Sequence, residues 1–283
     1  MRVSRLTWAL LIVASVLEVA LSLRIAAFNI QTFGETKMSN ATLVHYIVQI
    51  LNRYDIALVQ EVRDSNLVAV GKLLDGLNQK DPNTFHFVVS EQLGRSAYYK
   101  ERYLFLYRPE QVSVLDSYYY DDGCESCGND TFAREPAVVR FSSPFTQVRE
   151  FAIIPLHAAP LDAVAETDAL YDVYLDVQKK WDLEDIILMG DFNAGCSYVR
   201  PSDWASIRLR TSPALRWLIP DTADTTVKPT HCPYDRIVVA GTSLQDAIIP
   251  DSAVPFDFQA TYGLSDQMAE AISDHYPVEA VLQ

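Results

Sequence analysis

The feature that most limits this chain is a set of short, unbroken apolar runs, each stopping abruptly at a polar side chain. Leu23–Ile30 (LRIAAFNI) carries Asn29 at its end, and Asp55–Val62 (DIALVQEV) carries Gln60-Glu61. The run Ile154-Pro155-Leu156 breaks at His157, and Ile186–Met189 breaks at Gly190-Asp191-Phe192-Asn193. Ser273-Asp274-His275 stands just before the last run, 278–282. Continuous apolar runs of this kind predict strands covered on both faces, which only a layered domain can provide. Further strands are expected over 85–90, 103–107, 112–120, 137–141, 148–156 and 236–240. Helical spacing predicts helices over 41–54, capped by Asn40, over 65–78 and over 160–181, the acidic side chains of the last forming a solvated outer face. No low-complexity linker divides the chain. The expectation is one α/β domain, with mixed, mostly antiparallel sheets covered by helices. One polar strand end is an ordinary turn former, but five together point to a convergent site on a rigid sheet.

Residues 1–22 read differently. Arg2 and Arg5 precede the apolar stretch Leu6–Leu17 and the small-residue end Ala20-Leu21-Ser22. That is the layout of a secretory signal peptide cleaved after Ser22, leaving 23–283 as the functional domain. The apolar stretch is shorter than the roughly 20 residues a membrane span needs, and no later stretch is longer, so no membrane association is expected. Export suits disulfides: four cysteines allow three pairings, and Cys124–Cys127 with Cys196–Cys232 is favoured because the local C-x-x-C can close a tight loop. Asn40-Ala-Thr42 and Asn129-Asp-Thr131 are glycosylation sequons on the same route.

The strand ends carry recognisable chemistry. Glu61, Asp191, Asn193 and Asp274 offer hard oxygen ligands, suited to Mg²⁺, Mn²⁺ or Ca²⁺ rather than zinc. His157 and His275 exchange protons near neutral pH. A cation with a histidine pair is equipment for hydrolysing a phosphate ester, since charge is offset while one group activates water and another protonates the leaving oxygen. No G-x-S-x-G elbow, H-E-x-x-H helix or Walker loop is present. His45, His86 and His231 lack the strand-end context and read as surface or packing residues. The formal charge of −14 over 283 residues argues against a polyanion held by bulk positive charge. One segment, 198–216, carries Arg200, Arg208, Arg210 and Arg216 against Asp203, a local patch suited to phosphate.

LRIAAFNIQTFGETKMSNATL, ALVQEVRDS, YYYDDGCESCGNDTFAREPAV, PLHAAP, LMGDFNAGCSYV, THCPYDRIVVAG and SDHYPVE together resemble the mammalian deoxyribonuclease I family along the whole of 23–283. GDFN and SDHYP alone are similar to the wider endonuclease/exonuclease/phosphatase superfamily; the cysteine loop and leader narrow the likeness to its secreted nuclease branch. The resemblance implies a four-layered αββα sandwich, two packed sheets flanked by helices, and a monomer. It implies Mg²⁺- and Ca²⁺-supported endonuclease action on double-stranded DNA, with Mn²⁺ able to substitute, giving 5′-phosphate ends. It also implies secretory granules and the nuclear envelope as locations, and a role in apoptosis. By position, Glu101–His157 would be the general acid pair and Asp235–His275 the general base pair. Glu61 and Asp191 would ligate Mg²⁺, with Asn29, Asn193 and Asp274 touching metal or phosphate. Arg63, Tyr99 and Arg134 would contact DNA, the first two in the minor groove, although SAYYKE is one residue longer than the usual family form. Asp122, Asp130, Glu135 and the Phe132 carbonyl would hold one Ca²⁺; Asp224, Thr226, Thr230 and the Lys228 carbonyl would hold another. Phe87, Val88, Val89 and Ala137 would meet monomeric actin, with phenylalanine standing where the family has tyrosine. The rival readings are a phosphatase or sphingomyelinase of the same superfamily, and a non-catalytic actin-binding protein. On the leading reading, part of the acid excess is cation ligands.

Overall fold

The structure, a computed structural model, describes residues 22–96, 98–123 and 130–283. The expected signal peptide, apart from Ser22, and Cys124, Cys127 and Asn129 lie outside the described residues. The first sheet contains β1 (Leu23–Phe33), β2 (Ile56–Val62), β3 (His86–Val89), β4 (Arg102–Tyr107), β11 (Val254–Pro255) and β12 (Val278–Leu282), in the order β11-β12-β1-β2-β4-β3. The second contains β5 (Ser113–Tyr119), β6 (Ala137–Ser142), β7 (Glu150–Pro155), β8 (Ile186–Asp191), β9 (Leu215–Trp217) and β10 (Asp235–Ala240), in the order β5-β6-β7-β8-β10-β9. β1–β2 and β7–β8 pair in parallel. The other pairs are antiparallel.

Side chains alternate across each strand, so one strand feeds two cores. In β1, Leu23, Ile25 and Ala27 enter the space between the sheets, where they meet Ile187 and Met189 of β8 and Ile237 and Val239 of β10. Ala26, Phe28 and Ile30 face outward instead, under α2 (Ala41–Leu51) and α3 (Val68–Leu77), while the short α1 (Glu35–Met38) precedes them. On the far side, Leu188 and Val238 pack under α4 (Ala163–Trp181) and α5 (Arg208–Thr211). Three apolar layers between four structural layers make the αββα sandwich. Asn40 caps α2 as expected, its Oδ1 accepting from the Thr42 and Leu43 amides at 3.0 and 3.3 Å.

The sequence missed α1, α5, β9, β11, α6 (Thr242–Ala247), α7 (Phe258–Tyr262) and α8 (Asp266–Ile272), all too short to show a clear period. It also misjudged α4: Glu166 is fully buried and accepts from the Ala159 amide at 3.0 Å. Burial pushes its carboxyl up to about 7. Cys196 and Cys232 are bonded, 36 residues apart. Closing a loop of that length restricts the unfolded chain and contributes about 4 kcal/mol in the chain-entropy treatment. Among the described residues, no helix is long and apolar enough to cross a membrane.

Candidate active site

The inward parity of the strands, carried past the end of the apolar core, places the polar groups. Asn29 continues the Leu23-Ile25-Ala27 series and Asp191 continues Ile187-Met189, while Asp235 begins the series Ile237-Val239. Asp191 and Asp235 lie directly opposite each other in the β8–β10 ladder. Glu61 has the opposite parity and reaches the site by another route. Its φ of 58° and a register break between Val59 and Val62 re-aim the end of β2. The Thr32 amide then donates to Glu61 Oε2 at 2.8 Å.

Asn29 joins the two sheets across this gap. Its Nδ2 donates to Glu61 Oε1 at 3.2 Å and to Asp191 Oδ2 at 3.1 Å. Asn193, at φ 49°, closes a tight turn by donating its amide to Asp191 Oδ1 at 2.9 Å, and its Nδ2 donates to the Ala158 carbonyl. Asp274 lies at the edge: its Oδ2 accepts from Gln31 Nε2 at 3.0 Å and from Lys228 Nζ at 2.8 Å.

Two histidines flank Asp191. His157 Nδ1 pairs with Glu101 Oε2 at 2.8 Å, and His275 Nδ1 with Asp235 Oδ2 at 2.7 Å. Their Nε2 atoms face Asp191 Oδ2 from 3.6 and 3.7 Å. Both expected His–carboxylate pairs are therefore present as geometry, with the free ring nitrogens aimed at one point. Arg134 braces the first pair, donating from Nη2 to Glu101 Oε1 at 2.9 Å and from Nη1 to the His157 carbonyl at 3.1 Å. Burial alone would raise the Glu101 carboxyl, but His157 and Arg134 outweigh it and hold it near 2. For His157, burial and Arg134 pull downward, while Glu101 and Asp191 lift it above the ordinary imidazole value. Burial also opposes charge on His275, but Asp235 and Asp191 hold it up at about 10.

A group raised in this way stabilises the fold fully below its unfolded value, roughly 6.5, and loses that contribution as pH rises through the folded value. In chelator, the His275 ring is therefore expected to titrate near pH 10 by NMR. The gap in unfolding free energy between the protein and its His275→Gln variant should narrow between roughly pH 6.5 and the folded value. A midpoint near the ordinary imidazole value would show that Asp235 and Asp191 do not act on the ring as the geometry requires.

The donor set fits a hard divalent cation. Oxygen-bearing groups dominate, and Asn29 Oδ1, Asp235 Oδ1 and Asp274 Oδ1 are buried without a hydrogen-bond partner. Asp191, Asp235 and His275 each offer a ligand atom within 4.8 Å of the others, while Asn29 Nδ2 bridges the expected pair, Glu61 and Asp191. Burial lowers the Lys37 ammonium to about 8, although Glu61 and Asp274 pull it back up; it donates to the Ile272 carbonyl at 2.6 Å.

The other expected sites are placed as follows. Asp122, Asp130 and Glu135 converge, again within 4.8 Å. The amides of Thr131 and Phe132 donate to Asp122, and Arg95 donates to Asp130 at 2.9 Å, while the Phe132 ring is buried in the core. Asp224 Oδ1 accepts from the Thr226 amide and hydroxyl; that hydroxyl meets the Thr230 carbonyl, and His231 Nδ1 rests on Asp224 Oδ2. The Lys228 side chain leaves this loop for Asp274. Arg63 stacks on Tyr99, its guanidinium carbon 4.2 Å from the ring centre, with Arg134 5.9 Å away. Despite the longer SAYYKE segment, Tyr99 thus joins Arg63. Val88, Val89 and Ala137 line one groove between the edge strands β3 and β5, whereas Phe87 packs toward the helix-covered face.

One expectation fails. Three of the four arginines of segment 198–216 are not free for phosphate: Arg200 pairs with Asp203, Arg208 with Asp168 and Asp172, and Arg210 with Asp221, while Arg216 is exposed. The partners lie mostly outside the segment, so local counting could not find them. Sequence reading also passed over two hydroxyls. Ser273 Oγ donates to the Asn29 carbonyl at 2.7 Å and accepts from the Gln31 and His275 amides. Thr225 Oγ1 donates to the Cys232 carbonyl and accepts from the Tyr234 and Asp235 amides. Each fixes one half of the His275–Asp235 pair.

Comparison with known proteins agrees with this geometry. Residues 26–275 match the Endonuclease/Exonuclease/phosphatase family. Deoxyribonuclease-1 of Equus caballus is 79% identical and that of Homo sapiens 76%, each covering 100% of both chains. Deoxyribonuclease-1 of Bos taurus is 71% identical, again over 100% of both. Among solved structures, humanized D. rerio TDP2 superposes with a TM-score of 0.62 at 14% identity, covering 93% of this chain and 99% of that one. An endonuclease/exonuclease/phosphatase from Bacteroides vulgatus gives 0.61 at 16% identity, covering 93% and 98%. These two likenesses speak to the fold alone.

Proposed function

The chain belongs to the endonuclease/exonuclease/phosphatase family, and on that premise we propose that it is a secreted, divalent-cation-dependent endonuclease of double-stranded DNA. It hydrolyses phosphodiester bonds with little sequence preference and leaves 5′-phosphate ends. The observation that carries the reading is the pair of His–carboxylate couples whose free Nε2 atoms face Asp191, in a chain so similar over its full length to deoxyribonuclease-1.

Each residue then has a task. Mg²⁺ held by Glu61 and Asp191, with Asn29, Asn193 and Asp274 alongside, would supply positive charge against the phosphoryl oxygens. His157, kept charged by Glu101, donates from Nε2 to the leaving O3′. His275, its ring fixed by Asp235, accepts the proton of the attacking water at Nε2. Because the surrounding carboxylates hold His275 protonated, it serves as a base only when their charge is offset. Arg63 and Tyr99 form a stacked pair suited to the minor groove, where width and A·T content are sensed but sequence is read poorly. The Asp122–Asp130–Glu135 and Asp224–Thr226–Thr230 loops would bind Ca²⁺ as structural clamps. The groove at Val88, Val89 and Ala137, between exposed sheet edges, is the seat we assign to monomeric actin. Residues 1–22 direct export, and Asn40 and Asn129 accept glycans.

The test is a substrate panel. Purified protein with Mg²⁺ and Ca²⁺ is expected to convert supercoiled plasmid to nicked circles bearing 5′-phosphates. It should release neither phosphorylcholine from sphingomyelin nor phosphate from inositol phosphates. Release of either, without nicking, would move the assignment to the phosphatase or sphingomyelinase branch.

A further inference from the structure

Gln60 is fully buried and belongs to neither His–carboxylate pair. It continues the inward parity of Leu58 in β2, so it crosses from the first sheet into the second. Its Nε2 donates to the Leu156 carbonyl at 2.7 Å, and its Oε1 accepts from the Asp191 amide at 2.8 Å. One side chain of the first sheet thus holds two backbone positions of the second: Asp191 itself and the residue just before His157. Its own neighbour in the chain is Glu61, and its register partner across β1–β2 is Asn29.

Space for this contact is provided from the other side. Gly190 has φ +139°, and a Cβ there would lie 2.2 Å from the Leu156 carbonyl oxygen and 2.6 Å from Gln60 Nε2. Residue 190 must lack a side chain for the amide to reach both partners. The chemistry at position 60 is equally narrow. The bridge needs one donor and one acceptor on a neutral group at fixed spacing. An ionised carboxylate has no donor for Leu156 and would be a buried charge; a thioether satisfies neither partner.

We propose that Gln60 is a positioning residue: it clamps the two sheets at the reacting end of the sandwich, fixing Asp191 and the His157 turn relative to Glu61. This inference rests on the assignment of DNA hydrolysis to the site and names a residue that acts through others in it. Misplacing reacting groups by about an ångström costs on the order of 10²-fold in rate. Gln60→Met, matched in length but lacking both hydrogen bonds, is therefore expected to lower kcat for plasmid nicking about 100-fold with KM within about twofold.

The split between kcat and KM gives the discriminating readout: a side chain that only supports the fold would leave kcat unchanged once folded protein alone is counted, whereas one that aligns Asp191 and the His157 turn lowers kcat with substrate binding intact. Melting temperatures of both proteins establish that kcat is read on folded material. A Gln60→Met variant with near-normal kcat, or one whose loss lies in KM rather than kcat, would overturn the proposal. Failure of the underlying nuclease assignment would appear elsewhere, as absence of nicking by the unsubstituted protein.

Discussion

His157→Ala and His275→Ala are each expected to lower plasmid nicking by about 10³-fold or more, the upper range for removal of a general acid or base. On the proposed roles the two substitutions remove different proton transfers, yet the double variant should be little worse than either single one, because groups acting as a unit are strongly non-additive. Each imidazole is anchored at Nδ1, at 2.8 Å on Glu101 and 2.7 Å on Asp235. Alanine therefore leaves a buried carboxylate facing a void. Glu101 retains Arg134 as a partner, so His157→Ala should fold with a modest loss of melting temperature. Among the described residues no arginine is bonded to the Asp235 carboxylate, and its Oδ1 is buried without a hydrogen-bond partner, so His275→Ala should be the less stable of the two. Single-turnover nicking on folded protein is the measurement, and near-normal rates in either variant would remove that histidine from the chemistry.

The second large effect belongs to Asp191. Its carboxylate accepts from Asn29, sits under both histidine Nε2 atoms and lies opposite Asp235. Asp191→Asn preserves shape and can still accept the Asn193 amide, so the turn survives while the charge is lost. Divalent affinity, read by Mn²⁺ titration, should fall by at least about 10²-fold, since even groups one step removed from a metal ligand cost up to that much. Nicking should fall at least as far. Removing a negative charge also lets both imidazoles relax downward, so in chelator their NMR midpoints are expected to drop together. A variant that binds Mn²⁺ normally would refute Asp191 as a cation ligand.

Much of this site was legible because burial imposes a strict pattern. A strand covered on both faces must be apolar throughout, so Asn29, Asp191 and His157 stood out where their strands left the core. Glu101 did not stand out, because Lys100-Glu101-Arg102 reads as solvated charge until the fold buries the middle residue against Arg134 and His157. Asp235 was equally hidden, being the first residue of a strand rather than the last. The resemblance to a known family supplied both. The arginines of 198–216 show the converse error: two of the four, Arg208 and Arg210, are taken up by Asp168, Asp172 and Asp221, which approach from elsewhere in the fold. Gln60 was visible in the strand-end motif, but nothing in sequence spacing reveals that an amide spans two sheets.

The net charge of −14 belongs to the same argument. It excludes attraction through a bulk basic surface, yet says little about a pocket whose carboxylates are proposed to hold a cation. On the proposed reading, DNA hydrolysis in this acidic pocket needs a divalent cation. Supercoiled plasmid, exposed to protein stripped with EDTA and then titrated with Mg²⁺ in the presence of Ca²⁺, tests it directly. No nicked circles are expected in chelator, with full recovery on adding back Mg²⁺. Nicking that persists undiminished in excess EDTA would contradict it.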